Sequence, residues 1–258
     1  MFEISLKGQT ALITGSARGI GAEIARQMAK AGANIVINYI PVPADLEAYP
    51  ALLEELKGYG VDAIACEADV SNEDQVKSMV AAANEKFGGV DILVNNAGIT
   101  PVSAFEEMPT ALWKKCIGIM ADGPFYCTRE VLPYMLEKKC GKILMITTNC
   151  TVNGGGGSVG YPAAKSAAEG IVRTLVNAYA DKGIRANIIQ PAVIDTDLFR
   201  QRYSTDEAVA EYGKKQPVGH VGKPVDIANA AVFLCSDKAE YICGATLPVD
   251  GARTYYKK

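Results

Sequence analysis

Tyr161 and Lys165 stand four residues apart, as Tyr161-x-x-x-Lys165. On a helix that spacing puts both side chains on one face, where an ammonium favours the ionised form of a phenol. A phenol near its ordinary pKa of about 10 is a poor base at neutral pH without such help. Chance alone supplies about one Tyr-x-x-x-Lys pair in a chain of this composition, and Tyr134 with Lys138 is a second instance. Context separates the two. Tyr134 falls late in a helical stretch that ends near Gly141, whereas Tyr161 opens a helix just after a strand and the glycine run Gly154–Gly157. Pro162 is compatible with a first helical turn, where its missing N–H is no loss.

A second chemistry is phosphate binding. Thr14-Gly15-Ser16-Ala17-Arg18-Gly19-Ile20-Gly21 follows an apolar run and opens an amphipathic one. Glycines there allow a tight turn and a close backbone approach to a pyrophosphate, which the free N–H groups of a helix start attract. Asp69-Val70 and Asn95-Asn96-Ala97-Gly98 end two further apolar runs. Each alone reads as an ordinary turn; with the glycine loop they line one edge of a sheet, which points to a dinucleotide.

These residues need elements to carry them. Strands are expected at Thr10–Thr14, Ile35–Asn38, Asp62–Cys66, Asp91–Asn95, Lys142–Thr148, Arg185–Gln190 and Thr246–Val249. Amphipathic helices are expected at about 20–31, 46–58, 72–87, 110–137, 161–181 and 224–236. Alternation of this kind predicts an α/β fold with a parallel sheet covered on both faces, and near-continuous apolar strands fit that burial. Without a linker or repeat, the reading is one domain over residues 1–258. Two stretches break the rhythm: Tyr39–Pro50, with three prolines, and Asp195–Gly222, a polar insertion placed to cover a pocket at the strand ends.

The 258 residues, 49% hydrophobic and 21% charged, suit a globular protein with a continuous core. A net charge of -3 gives no general attraction to nucleic acid or anionic lipid. Seven cysteines without a CxxC pair read as reduced thiols, and a single histidine, His220, makes imidazole-rich metal sites and a Ser-His-Asp triad poor readings. His220 itself reads as a loop residue between glycines. No apolar run is long enough to span a membrane and the opening MFEISLKGQT lacks a secretory pattern, so a cytoplasmic protein is expected.

Taken together, the glycine loop, Asp69-Val70, Asn95–Gly98, Tyr161-x-x-x-Lys165 and the ending Gly244-Ala-Thr-Leu-Pro-Val-Asp-Gly251 resemble the short-chain dehydrogenase/reductase family over essentially the whole chain. The general pattern is nearest the 3-oxoacyl-ACP reductases and sugar or polyol dehydrogenases. The resemblance implies a single-domain Rossmann fold, a doubly wound seven-stranded parallel sheet, and a nicotinamide cofactor. It implies hydride exchange between that cofactor and a carbonyl or secondary alcohol: a 3-oxoacyl thioester, a sugar or polyol, or a keto acid. Tyr161 would be the general acid/base, with Lys165 lowering its pKa and holding the nicotinamide ribose. Gly15, Ser16, Arg18, Gly19, Ile20, Gly21, Asn38, Asp69, Val70, Asn96, Ala97, Gly98, Pro191, Val193, Ile194 and Thr196 would join Tyr161 and Lys165 in holding the cofactor. A homotetramer or homodimer packed through the fourth and fifth helices is also implied.

The chain departs from the family in places. Where the family has a catalytic serine, thirteen residues before the tyrosine, this chain has Thr148, whose hydroxyl still donates to a carbonyl oxygen; Thr147 and Thr151 are weaker substitutes. Where the family has an asparagine that orders a proton-relaying water, seven residues after Trp113 and five before Phe125, this chain has Met120. A thioether cannot replace an amide, so a weakened, nucleotide-binding protein is the rival reading. The family's Pro-Gly is Pro191-Ala192 here. For the cofactor, Asn38-Tyr39 supplies no acid to the adenosine ribose and Arg18 resembles a 2′-phosphate ligand, so NADP is favoured over NAD. Arg200, Arg202, Lys214 and Lys215 would attract an anionic substrate, but Asp195, Asp197, Asp206, Glu207 and Glu211 offset them and a solvated helical face is the simpler reading.

Overall fold

The computed structural model describes residues 3–256. Seven strands, β1 (Thr10–Ile13), β2 (Asn34–Tyr39), β3 (Ala63–Glu67), β4 (Ile92–Asn95), β5 (Gly141–Ile146), β6 (Ile184–Pro191) and β7 (Thr246–Val249), form one sheet in the order β3-β2-β1-β4-β5-β6-β7. Every pairing is parallel. Between the strands run α1 (Gly19–Lys30), α2 (Pro43–Gly58), α3 (Glu73–Phe87), α4 (Thr110–Ile117), α5 (Gly123–Lys138), the short α6 (Cys150–Asn153), α7 (Gly160–Tyr179), the short α8 (Asp197–Arg200), α9 (Asp206–Gly213) and α10 (Pro224–Leu234).

Alternate strand residues face opposite sides, which explains the continuous apolar runs. Ile13, Ile37, Val94, Ile146 and Ile189 pack under α1, α2 and α10, while Leu12, Val36, Leu93, Met145 and Ile188 pack under α3, α5 and α7. The chain crosses from the β3 edge back to β4, beside β1, so the strand order reverses between β1 and β4. The loops after those two strands diverge there and leave the crevice in which open α/β sheets bind ligands.

Two helices differ from the sequence reading. α2 starts at Pro43 instead of near residue 46 and carries Pro50 in its interior. Pro43 sits in the first turn, where the N–H is dispensable, and Pro50 forfeits only the bond to the carbonyl of Leu46, an exposed residue. The expected helix over 110–137 is divided: a π-helical turn, Gly118–Asp122, separates α4 from α5 and buries Met120. π turns recur at functional sites, and this one faces the start of α7. The insertion after β6 folds as α8 and α9, its two flanks joined by an isolated bridge between Ile194 and Gly222.

Candidate active site

The glycine loop is held from below by two asparagines. Gly15 N donates to Asn38 Oδ1 at 2.9 Å, and Asn38 Nδ2 donates to the Ala68 carbonyl at 2.8 Å. Asn96 Nδ2 donates to the carbonyls of Thr14 and Gly15 at 2.9 and 3.0 Å, while Thr14 Oγ1 accepts from the backbone of Asn96 and Ala97. Both asparagines were read as cofactor ligands. The geometry gives their amides a different task, because each donor is already committed to the protein, and Asn38 is buried. Ser16 is committed likewise, its hydroxyl donating to Ile13 O at 2.7 Å and accepting from Asn38 N.

What remains open is backbone. Gly15 and Gly19 take positive φ, and a Cβ on Gly21 would lie 2.5 Å from the Gly15 carbonyl oxygen. The first turn of α1 has no side-chain cap, so its N–H groups, Ile20 included, point out of the fold without a side-chain acceptor. Such a cradle fits a pyrophosphate. Thr196, at the start of α8, closes over the loop with its methyl 3.7 Å from where a Cβ on Gly19 would stand. Asp69 Oδ1 accepts from the backbone and hydroxyl of Ser71, Val70 is buried, and Val193 O accepts from Gly222 N. Ile194 is also nearly buried, and Pro191 O accepts from Asn149 N. Arg18 does not stand free: its Nε donates to Asp45 Oδ1 at 2.8 Å and its NH1 lies 3.5 Å from Asp197 Oδ2.

The reacting groups lie at the ends of β5 and the start of α7. The Thr148 hydroxyl lies near enough to the Tyr161 phenol to favour its ionised form, and accepts from Cys150 N at 3.2 Å. Lys165, buried one turn along α7, donates to the Ile146 carbonyl at 2.7 Å. Burial pushes the phenol up to about 12 against the opposing pull of the Thr148 hydroxyl, and pushes the Lys165 ammonium down to about 8. Burial dominates the phenol here, with Thr148 and Cys150 as its other influences, and the lysine's own hydrogen bond goes to backbone. A Cβ on Gly98 would meet Met120 Sδ at 3.3 Å and Lys165 Nζ at 3.4 Å, so the thioether lies in the lysine's own surroundings. Gly156, at φ 101°, lies so close to the tyrosine that a Cβ would come 2.5 Å from Cδ1 of its ring.

Other candidates scatter. Lys138 contacts Tyr134 but is ion-paired with Asp91, beside the N-terminal end of β4 and away from the site. Arg200 is clamped by Asp195, at 2.5 Å, and Asp206, at 2.7 Å, and Lys214 pairs with Glu211, so the insertion's cations mostly serve its own fold. His220 is exposed, its Nδ1 3.1 Å from Val221 O, and lines a cavity of about 190 Å³ with Ile194, Gln216 and Asp226. Thr147 and Thr151 both donate to Glu169. Asp45 went unnoticed in the sequence because nothing local marks its partner. So did Asn149, whose Nδ2 is buried without a partner.

A family model described as enoyl-(acyl carrier protein) reductase matches residues 15–253. The chain belongs to the short-chain dehydrogenase/reductase family. It is 36% identical to a 3-oxoacyl-[acyl-carrier-protein] reductase of Staphylococcus epidermidis, over 94% of this chain and 98% of the relative. It is also 36% identical to 3beta-hydroxysteroid dehydrogenase 1 of Eggerthella lenta, over 97% and 95%. Among solved structures, a gluconate 5-dehydrogenase of Burkholderia cenocepacia in complex with NADP and tartrate superposes with a TM-score of 0.89 at 31% identity, each chain covered to 98%. A 7α-hydroxysteroid dehydrogenase complexed with NADH and 7-oxo glycochenodeoxycholic acid gives 0.89 at 35%, also 98% of each chain. This short-chain dehydrogenase/reductase is thus an oxidoreductase by family, on a doubly wound sheet shared with those structures.

Proposed function

We propose that the chain acts as one domain and reduces a carbonyl with NAD(P)H, the phenol of Tyr161 delivering the proton. The observation that carries this reading is the grouping of Thr148, Tyr161 and the buried Lys165, one turn along α7 from the tyrosine, at the same sheet edge as the uncapped glycine loop. A nicotinamide bound there would supply the hydride to the carbonyl carbon. Tyr161, protonated at neutral pH, gives its proton to the oxygen as the hydride arrives, and the product is a secondary alcohol. Thr148 donates a hydrogen bond to the same oxygen and fixes its distance from the phenol. The first-turn amides of α1, with Gly15, Gly19 and Gly21, hold the pyrophosphate. Pro191, Val193, Ile194 and Thr196 line the nicotinamide side, and Lys165 holds its ribose.

Arg18 supports NADP(H) over NAD(H), because its guanidinium suits a phosphate dianion. A 2′-phosphate must take it from Asp45 and Asp197, so the preference rests on that competition. We take as the substrate side the mostly apolar cleft of about 270 Å³ beside the start of α7, bordered by Phe105, Met108, Thr110, Trp113 and Val159. That lining supports a carbonyl with an apolar body, such as a 3-oxoacyl thioester or a fused-ring ketone, over a polyol or keto acid. Small-molecule turnover in a cytoplasmic homotetramer or homodimer completes the reading.

Titration of purified protein with NADPH and NADH by cofactor fluorescence, followed by addition of ketones and 3-oxo thioesters, tests it. Binding with oxidation of the cofactor is expected; tight binding without turnover across the panel supports the rival nucleotide-binding reading, which the buried Met120 beside Lys165 favours. Met120→Asn then speeds turnover if the missing amide is limiting.

A further inference from the structure

Tyr161, Lys165 and Glu169 occupy i, i+4 and i+8 of α7 and so form one stripe along the helix. Three consecutive residues at the end of β5 meet it one by one: Ile146 O accepts from Lys165 Nζ at 2.7 Å, Thr147 Oγ1 lies 3.2 Å from Glu169 Oε1, and Thr148 lies beside Tyr161. Glu169 is the member of this stripe without a part in the chemistry described so far. It is 6% exposed in the described structure, and its Oε1 also receives Thr151 Oγ1 at 2.9 Å and Gln190 Nε2 at 2.8 Å.

The directions of these bonds fit together. Gln190 Nε2 has two hydrogens, one for Glu169 and one for Thr151 Oγ1, 2.9 Å away. Thr151, accepting from the glutamine, has one hydrogen, which Glu169 Oε1 at 2.9 Å and the Thr148 carbonyl at 3.0 Å share. The remaining carboxylate oxygen, Oε2, faces Arg173, an exposed side chain, at 3.4 Å. One carboxylate thus ties together the end of β5, the α6 turn, β6 and α7, and the α6 turn leads directly from Thr148 toward the glycine run that borders Tyr161.

We infer that Glu169 is a positioning residue of the catalytic centre: through Thr147 and Thr151 it fixes the backbone that carries Thr148, and so the spacing at which Thr148 and Tyr161 meet a carbonyl oxygen. The inference rests on the carbonyl reductase reading. A core carboxylate that only stabilises the fold would leave kcat alone once the variant is folded. One that positions Thr148 acts on kcat and leaves cofactor affinity in place, because the glycine loop lies across the sheet on β1 and α1.

The test compares Glu169→Leu, Glu169→Gln and wild type for kcat, KM for NADPH and amide hydrogen exchange over Cys150–Asn153. Glu169→Leu is expected to lower kcat about tenfold or more, with KM for the cofactor held within about threefold, and to speed exchange in the α6 turn. Glu169→Gln, whose amide oxygen accepts from the same donors, is expected to restore kcat to within about threefold of wild type. An unchanged kcat in Glu169→Leu, or a glutamine variant no better than the leucine one, overturns the inference. Should Glu169→Leu not fold, Thr151→Val keeps the carboxylate but removes the hydroxyl that links it and Gln190 to the Thr148 carbonyl, and its kcat decides in the same way. Absence of turnover in wild type would refute the reductase reading itself; amide exchange then tests the positioning, and unchanged exchange in Glu169→Leu overturns it.

Discussion

Asp45→Asn is the substitution expected to change cofactor preference most. In the structure Arg18 is bracketed by Asp45 and Asp197, one cation against two carboxylates. Asp45 is 8% exposed and also accepts from Ile40 N at 3.3 Å, so it is fixed at the end of β2, where the adenosine ribose would lie. A 2′-phosphate carries a charge of about −2. For a separation of about 7 Å, taken as a round value, and an effective dielectric of about 40, the repulsion is about 2.4 kcal/mol before screening. Salt at physiological strength, with a Debye length of about 8 Å, brings this to about 1 kcal/mol, or roughly fivefold in Kd. Asp45 meets Arg18 with Oδ1 and Ile40 N with Oδ2; asparagine keeps its one oxygen for Ile40 N, so the loop stays in place, and turns its N–H group toward Arg18, which releases the guanidinium. Fluorescence titration of wild type and Asp45→Asn with NADPH and NADH should show NADPH tightening by about fivefold with NADH unchanged, and the gain shrinking in high salt. Equal changes for both cofactors, or a gain indifferent to salt, would refute the electrostatic reasoning.

Tyr161→Phe removes the proton donor and keeps the ring against Gly156; kcat for carbonyl reduction should fall by about a hundredfold or more while NADPH still binds, and wild-type turnover in the purified variant would sink the assignment. The pH dependence follows from the phenol at about 12 and the ammonium at about 8. Reduction, which uses the protonated phenol, should be nearly flat below about 8, whereas alcohol oxidation should climb with pH; an oxidation profile flat from about 6 to 9 would contradict it. The lowered Lys165 pKa also means that between about 8 and 10.5 the unfolded chain holds a proton that the folded one lacks, so stability should rise with pH across that window in chemical denaturation. Gly21→Ala sets a methyl against the Gly15 carbonyl, and should weaken both cofactors by a similar factor while far-ultraviolet dichroism is retained.

The five inner strands were legible because strands buried on both faces leave uninterrupted apolar runs; the partly exposed edge strands β3 and β7 were legible from short β-branched and apolar runs ended by polar turns. The division of α4 from α5 was not, since a π turn adds one residue to a helix without altering its composition, and Met120 gives no sign of it. At the site, position was legible and orientation was not. Asn38 and Asn96 lie at the expected edge, yet their amides turn inward to hold the loop, a choice set by carbonyls of Ala68, Thr14 and Gly15 that belong to other segments. Arg18 was visible but its partners were not, as Asp45 and Asp197 reach it only after folding. Glu169 was within reach of the sequence: the step of four that singles out Tyr161 and Lys165 lands on it once more.

The contact between Arg18 and Asp197 joins the glycine loop to the start of α8, and so ties the two lips of the cofactor crevice. Both side chains are substantially exposed, 37% and 65%. A solvent-exposed ion pair of this kind is worth about 1 kcal/mol at most, which leaves it broken for no less than roughly one-sixth of the time. The crevice is therefore fastened too lightly to delay a diffusing dinucleotide. On the proposed reading, residence time would be governed by what the loop and Thr196 hold afterwards, and cofactor exchange should be limited by departure, with arrival set by diffusion and the local field.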